Sequence, residues 1–134
     1  MRCSAALVAA TLTAVGNAAL SARAAEPGQA IFQGGCATCH AAGSPRVLAG
    51  QPLLSHTRAM TGADPAHAIG LILNGHEPPP EQRGAWMPAY ADVLSDAQVA
   101  DVLAWLRQAA GAPPWTDLTE RVHALRASAT GDQR

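Results

Sequence analysis

Apolar residues recur at helical spacing most clearly in the segment that follows residue 95. Ser95 stands at the N-cap position, and Gln98, three positions later, completes a capping box. Gly111, with two prolines close behind it, ends the pattern. The segment therefore predicts an amphipathic helix, whose apolar face carries Val99, Val102, Leu103 and Leu106.

Two further helices are predicted upstream of this one. The first runs from about Pro27 into a cysteine motif near residue 40. The second begins with Asp64 as its cap and Pro65 at its first helical position, and it ends at Asn74-Gly75. No segment shows the apolar and polar alternation of a strand, so the chain is predicted to be all-α.

Residues 1–24 have the pattern of a secretory signal peptide. Arg2 precedes an apolar stretch from Ala5 to Val15, and Ala22-Arg23-Ala24 places small residues where signal peptidase needs them. We expect cleavage after Ala24 and a periplasmic mature protein. The alternative is a retained membrane anchor, but polar residues and a glycine interrupt the Ala-rich run.

Length and composition limit the class of protein further. The 134 residues suffice for one ordinary domain. Hydrophobic residues make up 49% of the chain but aromatic residues only 4%, so few large side chains are present to fill a core. The net charge is −1 and all nine basic residues are Arg, which excludes the strongly basic surface of a nucleic-acid-binding protein.

The run Cys36-Ala37-Thr38-Cys39-His40 is the C-x-x-C-H signature of covalent c-type haem attachment. The two thiols can each add to one haem vinyl group, while the adjacent imidazole binds the iron. A zinc site would need a second cysteine pair or clustered histidines, and a thioredoxin-like pair would need a βαβ context. A simple disulfide would leave His40 unexplained. We therefore predict one haem c, bound through Cys36, Cys39 and His40.

The sixth iron ligand is predicted to be Met87. Pro88 follows it and restricts the loop, which suits a weak thioether ligand that must be held in place. Met60 lies in a segment that could be helical and is interpreted as core filler. Three histidines could replace Met87 and give a bis-histidine haem, namely His56, His67 and His76.

In these features the chain resembles class I c-type cytochromes over roughly Pro27 to Gly111. Gly28 and Phe32 match the glycine and the aromatic residue of that family's first helix, and Trp105 matches the aromatic residue of its last helix. The resemblance implies the cytochrome c fold, in which three to five short helices wrap around one covalently bound haem. It assigns 25–112 to the cytochrome domain and 113–134 to a C-terminal extension with a short helix and a flexible tail.

One departure from the family concerns the residues after the haem motif. The family usually has a Pro two residues before a Leu, and the carbonyl of that Pro orients the axial His. Here Pro45 stands three residues before Leu48, so either Pro45 serves after a small adjustment or another carbonyl does. Arg46 and Arg58 are candidate partners for a haem propionate, or simply solvated surface residues.

The segment from Asp64 to Arg126 is similar to haem domains of cytochrome subunits that serve membrane-bound alcohol and aldehyde dehydrogenases. Motifs such as Leu73-Asn74-Gly75 and Met87-Pro88-Ala89-Tyr90 carry this likeness. A last helix with Leu118, Val122 and Leu125 on one side also fits it.

The signal-peptide pattern, the single C-x-x-C-H motif and these resemblances together lead us to expect an exported monohaem electron carrier that is not itself an enzyme. Its expected partners are redox proteins, with a dehydrogenase as donor and an oxidase or another cytochrome as acceptor. No nucleic acid and no membrane span of the mature chain are expected. The alternatives are a haem subunit fixed in a dehydrogenase or sulfur-oxidising complex, and a haem-based ligand binder or sensor in which Met87 is labile.

Overall fold

A computed structural model describes residues 27–50, 52–79, 81 and 86–131. The predicted signal peptide lies outside these residues. Within them the protein is helical and contains no strand, which confirms the all-α prediction. In the described part of the chain, two extended segments pair at one isolated bridge, between His76 and Met87. None of the described helices has the length and apolar character needed to cross a membrane.

The elements follow one another from the haem motif to the C-terminal extension. Helix α1 covers residues 27–40 and contains a π-helical segment, Phe32–Cys36, before its last turn, Ala37–His40. A 3₁₀ turn covers Leu54–His56. The other helices are α2 (Pro45–Leu48), α3 (Arg58–Thr61), α4 (Ala66–Asn74), α5 (Asp96–Ala109) and α6 (Leu118–Gly131).

Helix α5 begins with the predicted capping box. The Ser95 hydroxyl accepts a hydrogen bond from the Gln98 amide at 3.2 Å, and the Gln98 side chain accepts one from the Ser95 amide at 2.9 Å. Gly111 has a φ of +65°, the left-handed conformation that commonly follows a helix end. Both ends of the strongest predicted helix are therefore confirmed.

Helix α4 begins one residue later than predicted. Pro65 is its N-cap rather than its first helical residue. The Asp64 carboxylate still accepts a hydrogen bond from the Ala66 amide at 3.1 Å, so it satisfies one of the free N–H groups of the first turn. The helix stops at Gly75, which has a φ of +70°.

Helices α1 and α5 approach each other closely. Gly28 makes this approach possible, because a Cβ atom added to it would lie 2.7 Å from the Cβ of Trp105. The rings of Phe32 and Trp105 pack with their centroids 4.9 Å apart. The crossing places the C-terminal end of α1, with its cysteine motif, beside the apolar face of α5.

The described core consists mostly of medium-sized aliphatic residues. Helix α6 packs against both α4 and α5, so the C-terminal extension is part of the same core. The buried apolar residues are Phe32, Met60, Ala68, Ile69, Leu73, Val99, Ala100, Val102, Leu103, Leu106, Leu118 and Val122.

Candidate functional site

A cleft of about 1040 Å³, counted to its open side, lies between the end of α1, helices α3 to α5 and the loop at residues 86–90. Its walls are mainly apolar. The lining residues include Gly35, Cys36, Cys39, His40, Arg46, Leu54, Met60, Ala68, Leu71, Ile72, His76, Trp86, Met87, Pro88, Tyr90, Val102, Leu103 and Leu106.

The cysteine motif forms one wall of this cleft. The π-helical segment of α1 ends at Cys36, and the last turn of α1 carries Cys39 and His40. Single π turns inside helices are frequent at functional sites, because the extra residue changes the direction of the side chains that follow. Both thiols and the imidazole consequently line the same cleft.

Ser44 fixes the chain just after the motif. Its buried hydroxyl donates a hydrogen bond to the Cys39 carbonyl at 2.7 Å and accepts one from the Val47 amide at 3.3 Å. One side chain thus satisfies a carbonyl at the end of α1 and caps α2. Ser44 was not among the residues predicted from the sequence, although a serine directly before a proline is a helix-start signal.

The Cys36 thiol and the His40 imidazole are only half-buried, yet the pKa of each is shifted. Cys36 and Cys39 are not joined by a disulfide. Burial, with a smaller contribution from Cys39, raises the pKa of the Cys36 thiol. Burial, with a smaller contribution from the Arg46 charge, lowers the pKa of His40. The neutral imidazole, which is the form that binds a metal, is therefore favoured at His40.

Met87 lies on the loop that forms another wall of the cleft. Its amide donates to the His76 carbonyl at 2.8 Å, and its carbonyl accepts from the His76 amide at 2.9 Å. The next residues are held to α4, since the Tyr90 amide donates to the Ile72 carbonyl at 2.9 Å. The Tyr90 hydroxyl donates to the Gly35 carbonyl at 3.0 Å, which joins this loop to α1.

Gly75 permits the close contact between α4 and the Met87 loop. A Cβ atom at Gly75 would lie 2.8 Å from the Pro88 carbonyl carbon and 2.8 Å from the Ala89 nitrogen, and closer still to the Met87 carbonyl oxygen. The backbone of the loop therefore rests directly on this glycine.

The alternative ligands named from the sequence are placed differently. His76 lines the cleft, whereas His56 and His67 do not. Met60 is both a core residue, only 4% exposed, and part of the cleft wall. Two methionines and two histidines thus reach the cleft surface within the described residues.

Of the two arginines that could bind a haem propionate, only one lines the cleft. Arg46 lines the cleft and donates a hydrogen bond to the Trp86 carbonyl at 3.1 Å, whereas Arg58 is exposed at the start of α3 and lies outside the cleft. The Pro45 carbonyl accepts a hydrogen bond from the amide of Ala49, the residue that follows α2, at 3.0 Å.

Two arginines that the sequence analysis did not single out stabilise segments around the cleft by hydrogen bonds to backbone carbonyls, and Arg107 is the first. Arg107 is buried, donates to the carbonyls of Met60, Gly62 and Pro113, and lies 4.3 Å from the centre of the Trp115 ring. It thereby ties α5 to the segment that carries Met60. An arginine inside an apolar helix pattern gives no sequence signal for such a role.

Arg126 of α6 plays a similar part for the segment that follows the Met87 loop. Its guanidinium donates to the carbonyls of Ala91 and Leu94 and to the Asp96 carboxylate. The C-terminal extension therefore holds the chain between the Met87 loop and α5.

A cleft with two thiols, a neutral imidazole and a thioether among apolar walls suits a haem c that is attached through sulfur. The profile of the cytochrome c family matches residues 25–110. This chain therefore belongs to the cytochrome c family, whose members transfer electrons by means of covalently bound haem c. Its residues fit that group in kind and in placement, because both thiols line the same cleft.

The chain is also similar to part of a longer curated protein. The chain is 32% identical over 104 residues to a subunit of nicotinate dehydrogenase from Pseudomonas putida. The match covers 75% of this chain but only 9% of that protein, so the chain corresponds to a small part of its relative. No solved structure matches the chain significantly.

Proposed function

We propose that this protein is an exported monohaem electron carrier in which Cys36 and Cys39 would attach the haem and His40 and Met87 would bind its iron. The observation that carries this proposal is that Cys36, Cys39, His40 and Met87 line one cleft although Met87 is far away in the sequence. The bound haem would supply one-electron exchange between ferric and ferrous iron. The residues of the chain attach it, orient it and exclude water from it.

The anchoring of the Met87 loop favours a carrier over a ligand-binding sensor. A thioether is a weak ligand, so it remains bound only where the backbone holds it in place. Three backbone hydrogen bonds link the loop to His76 and Ile72, and Arg46 adds a side-chain bond to Trp86. Because both axial positions would then be filled, electrons would pass through the haem edge without substrate chemistry.

Spectroscopy of the purified holoprotein tests the ligand assignment. We expect a low-spin ferric haem with the far-red charge-transfer band of a methionine–iron bond. Met87→Ala should abolish this band, because it removes the thioether. The matched control is Met60→Leu, a substitution of similar volume in the other methionine of the cleft, which should leave the band in place. A high-spin ferric wild type that binds added azide readily would instead identify a ligand binder.

The expected export is part of the same proposal. We place the signal peptide at residues 1–24 and the mature protein in the periplasm. Loss of Arg2 and Arg23 would leave seven Arg against ten acidic residues, a net charge of about −3. The mass of the protein recovered from the periplasm should correspond to a chain that starts at Ala25 and carries one haem. A cytoplasmic product that retains Arg2 would contradict export.

A fixed subunit of a dehydrogenase is the second candidate, and the similarity to part of a dehydrogenase favours it. The donor would then be a permanent partner, while the acceptor would be another cytochrome or an oxidase. The two candidates differ in the size of the native species. A carrier should elute from a periplasmic extract at the size of the single chain, whereas a subunit should co-elute with a dehydrogenase activity.

A further inference from the structure

His76 occupies a special position relative to the proposed ligand Met87. The two residues exchange both backbone hydrogen bonds, at 2.8 and 2.9 Å, and therefore form a directly opposed antiparallel pair. The side chains of such a pair project from the same side of the backbone, with Cβ atoms about 4.5–5.5 Å apart. Both side chains accordingly line the cleft.

The imidazole of His76 is chemically suited to the same task as the Met87 thioether. Histidine is among the commonest haem ligands, and its ring nitrogen binds ferric iron well. The chain contains no lysine, so no side-chain amine competes for this role. His56, His67 and His123 do not line the cleft, which leaves His76 as the one described imidazole that faces it besides His40.

The position of His76 does not depend on the Met87 side chain. The two hydrogen bonds that pair the residues are between backbone groups, and Gly75 keeps α4 in contact with the loop. His76 would therefore stay paired with residue 87 at the cleft wall if the thioether were removed or displaced.

We infer that His76 is a reserve axial ligand, which binds the iron when the Met87 thioether is absent. The inference rests on the proposed ligation by Met87. A ring nitrogen of His76 would take the place of the Met87 sulfur as the ligand of the iron, and no electron would be transferred. The result is a bis-histidine haem of lower reduction potential, which keeps the site closed to outside ligands.

The test compares ferric Met87→Ala holoprotein with the double variant Met87→Ala/His76→Ala by electron paramagnetic resonance and near-infrared magnetic circular dichroism. The single variant should be low-spin with a bis-imidazole signature, and the double variant should be high-spin. The tethered imidazole of His76 competes with added imidazole at an effective concentration in the millimolar range. Added imidazole should therefore bind the single variant at least about tenfold more weakly than it binds the double variant. The matched control, Met87→Ala/His67→Ala, should remain low-spin.

Three results would overturn the inference. The first is a high-spin Met87→Ala variant, and the second is a double variant that remains low-spin. The third is a Met87→Ala variant that keeps a methionine–iron band, which would assign the reserve role to Met60. The single variant reports its ligands directly, so the test does not require the double variant to accumulate. Absence of the methionine band from the wild type would refute Met87 ligation itself, independently of these outcomes.

Discussion

Single residues fix how closely the elements around the cleft approach one another. Gly75 is the clearest case, since it combines a positive φ with direct backbone contact to the Met87 loop. Any side chain there would both strain α4 at its end and push against the loop. The position of the Met87 backbone therefore depends on the absence of a side chain at residue 75.

Gly75→Ala should weaken the proposed bond between Met87 and iron and lower the free energy of unfolding by about 1–3 kcal/mol, because it adds backbone strain and a steric clash. The measurements are the intensity of the far-red band and the thermal midpoint of the holoprotein. Gly70→Ala is the control, since a Cβ atom there meets no atom within 4 Å. It should leave the band unchanged and the helix as stable or more stable. Equal behaviour of the two variants would show that the contact at Gly75 is unimportant.

Arg107 is the second residue on which the site depends. We expect Arg107→Leu to lower the free energy of unfolding by about 3–5 kcal/mol, because it leaves the carbonyls of Met60, Gly62 and Pro113 without their donor. Denaturant titration would measure the loss. Arg121→Gln, which breaks the exposed ion pair with Asp64, is the control and should cost no more than about 1 kcal/mol. A loss of that small size for Arg107→Leu would contradict its bracing role.

Among the elements, α6 has the least expected role. It lies beyond the region that matches the family profile, yet it packs against α4 and α5 and contributes Leu118 and Val122 to the core. Its Arg126 reaches the segment between the Met87 loop and α5 and binds Asp96 at 2.6 Å. The extension is thus a structural support of the haem site.

The ion pair between α6 and α5 predicts a specific pH dependence. The hydrogen bond from Arg126, with a smaller one from His123, holds the pKa of Asp96 below its ordinary value despite some desolvation. A carboxylate with a lowered pKa stabilises the fold above its unfolded pKa of about 3.9, and this contribution is lost as the pH falls through the folded value. Asp96→Asn should therefore destabilise the protein at neutral pH, and the difference from wild type should shrink below about pH 4.

Unfolding curves of the holoprotein between neutral and acid pH would measure this difference. Glu77→Gln, which removes a charge on an exposed stretch, provides the control and should show little difference at any pH. A destabilisation by Asp96→Asn that is the same at all pH values would point to lost packing instead of lost charge.

At the scale of the whole molecule, the described residues at the opening of the cleft are more apolar than charged. Trp86, directly before Met87, is 59% exposed and lines the cleft, while the net charge of the chain is small. Contact through such a surface depends little on long-range attraction. Electron transfer between molecules should therefore be governed by apolar contact at the rim.

Electron self-exchange between ferric and ferrous copies tests this at the scale of the whole protein. Its rate should change by less than about tenfold as salt shortens the Debye length from about 30 to 10 Å, far less than in strongly steered association. Nuclear magnetic resonance line widths of mixed oxidation states give the rate. Trp86→Ala should slow the exchange, because it removes apolar contact area. A steep dependence on salt would mean that charge controls the encounter.

Much of this protein was determined by local sequence. The C-x-x-C-H run predicted the cofactor, and the capping box at Ser95 and the glycine at Gly111 predicted the ends of α5, because these signals act over a few residues. Helical spacing predicted the buried face of α5 for the same reason.

Only the tertiary structure decided which distant groups meet. The pairing of His76 with Met87, the contact of the loop with Gly75, and the carbonyl contacts of Arg107 and Arg126 join residues that are separated by long stretches of chain. Such contacts depend on how the helices pack, and periodicity along one helix carries no information about its partner. The sequence therefore determined which chemistry the protein contains, and the packing of α4, α5 and α6 determined how that chemistry is held.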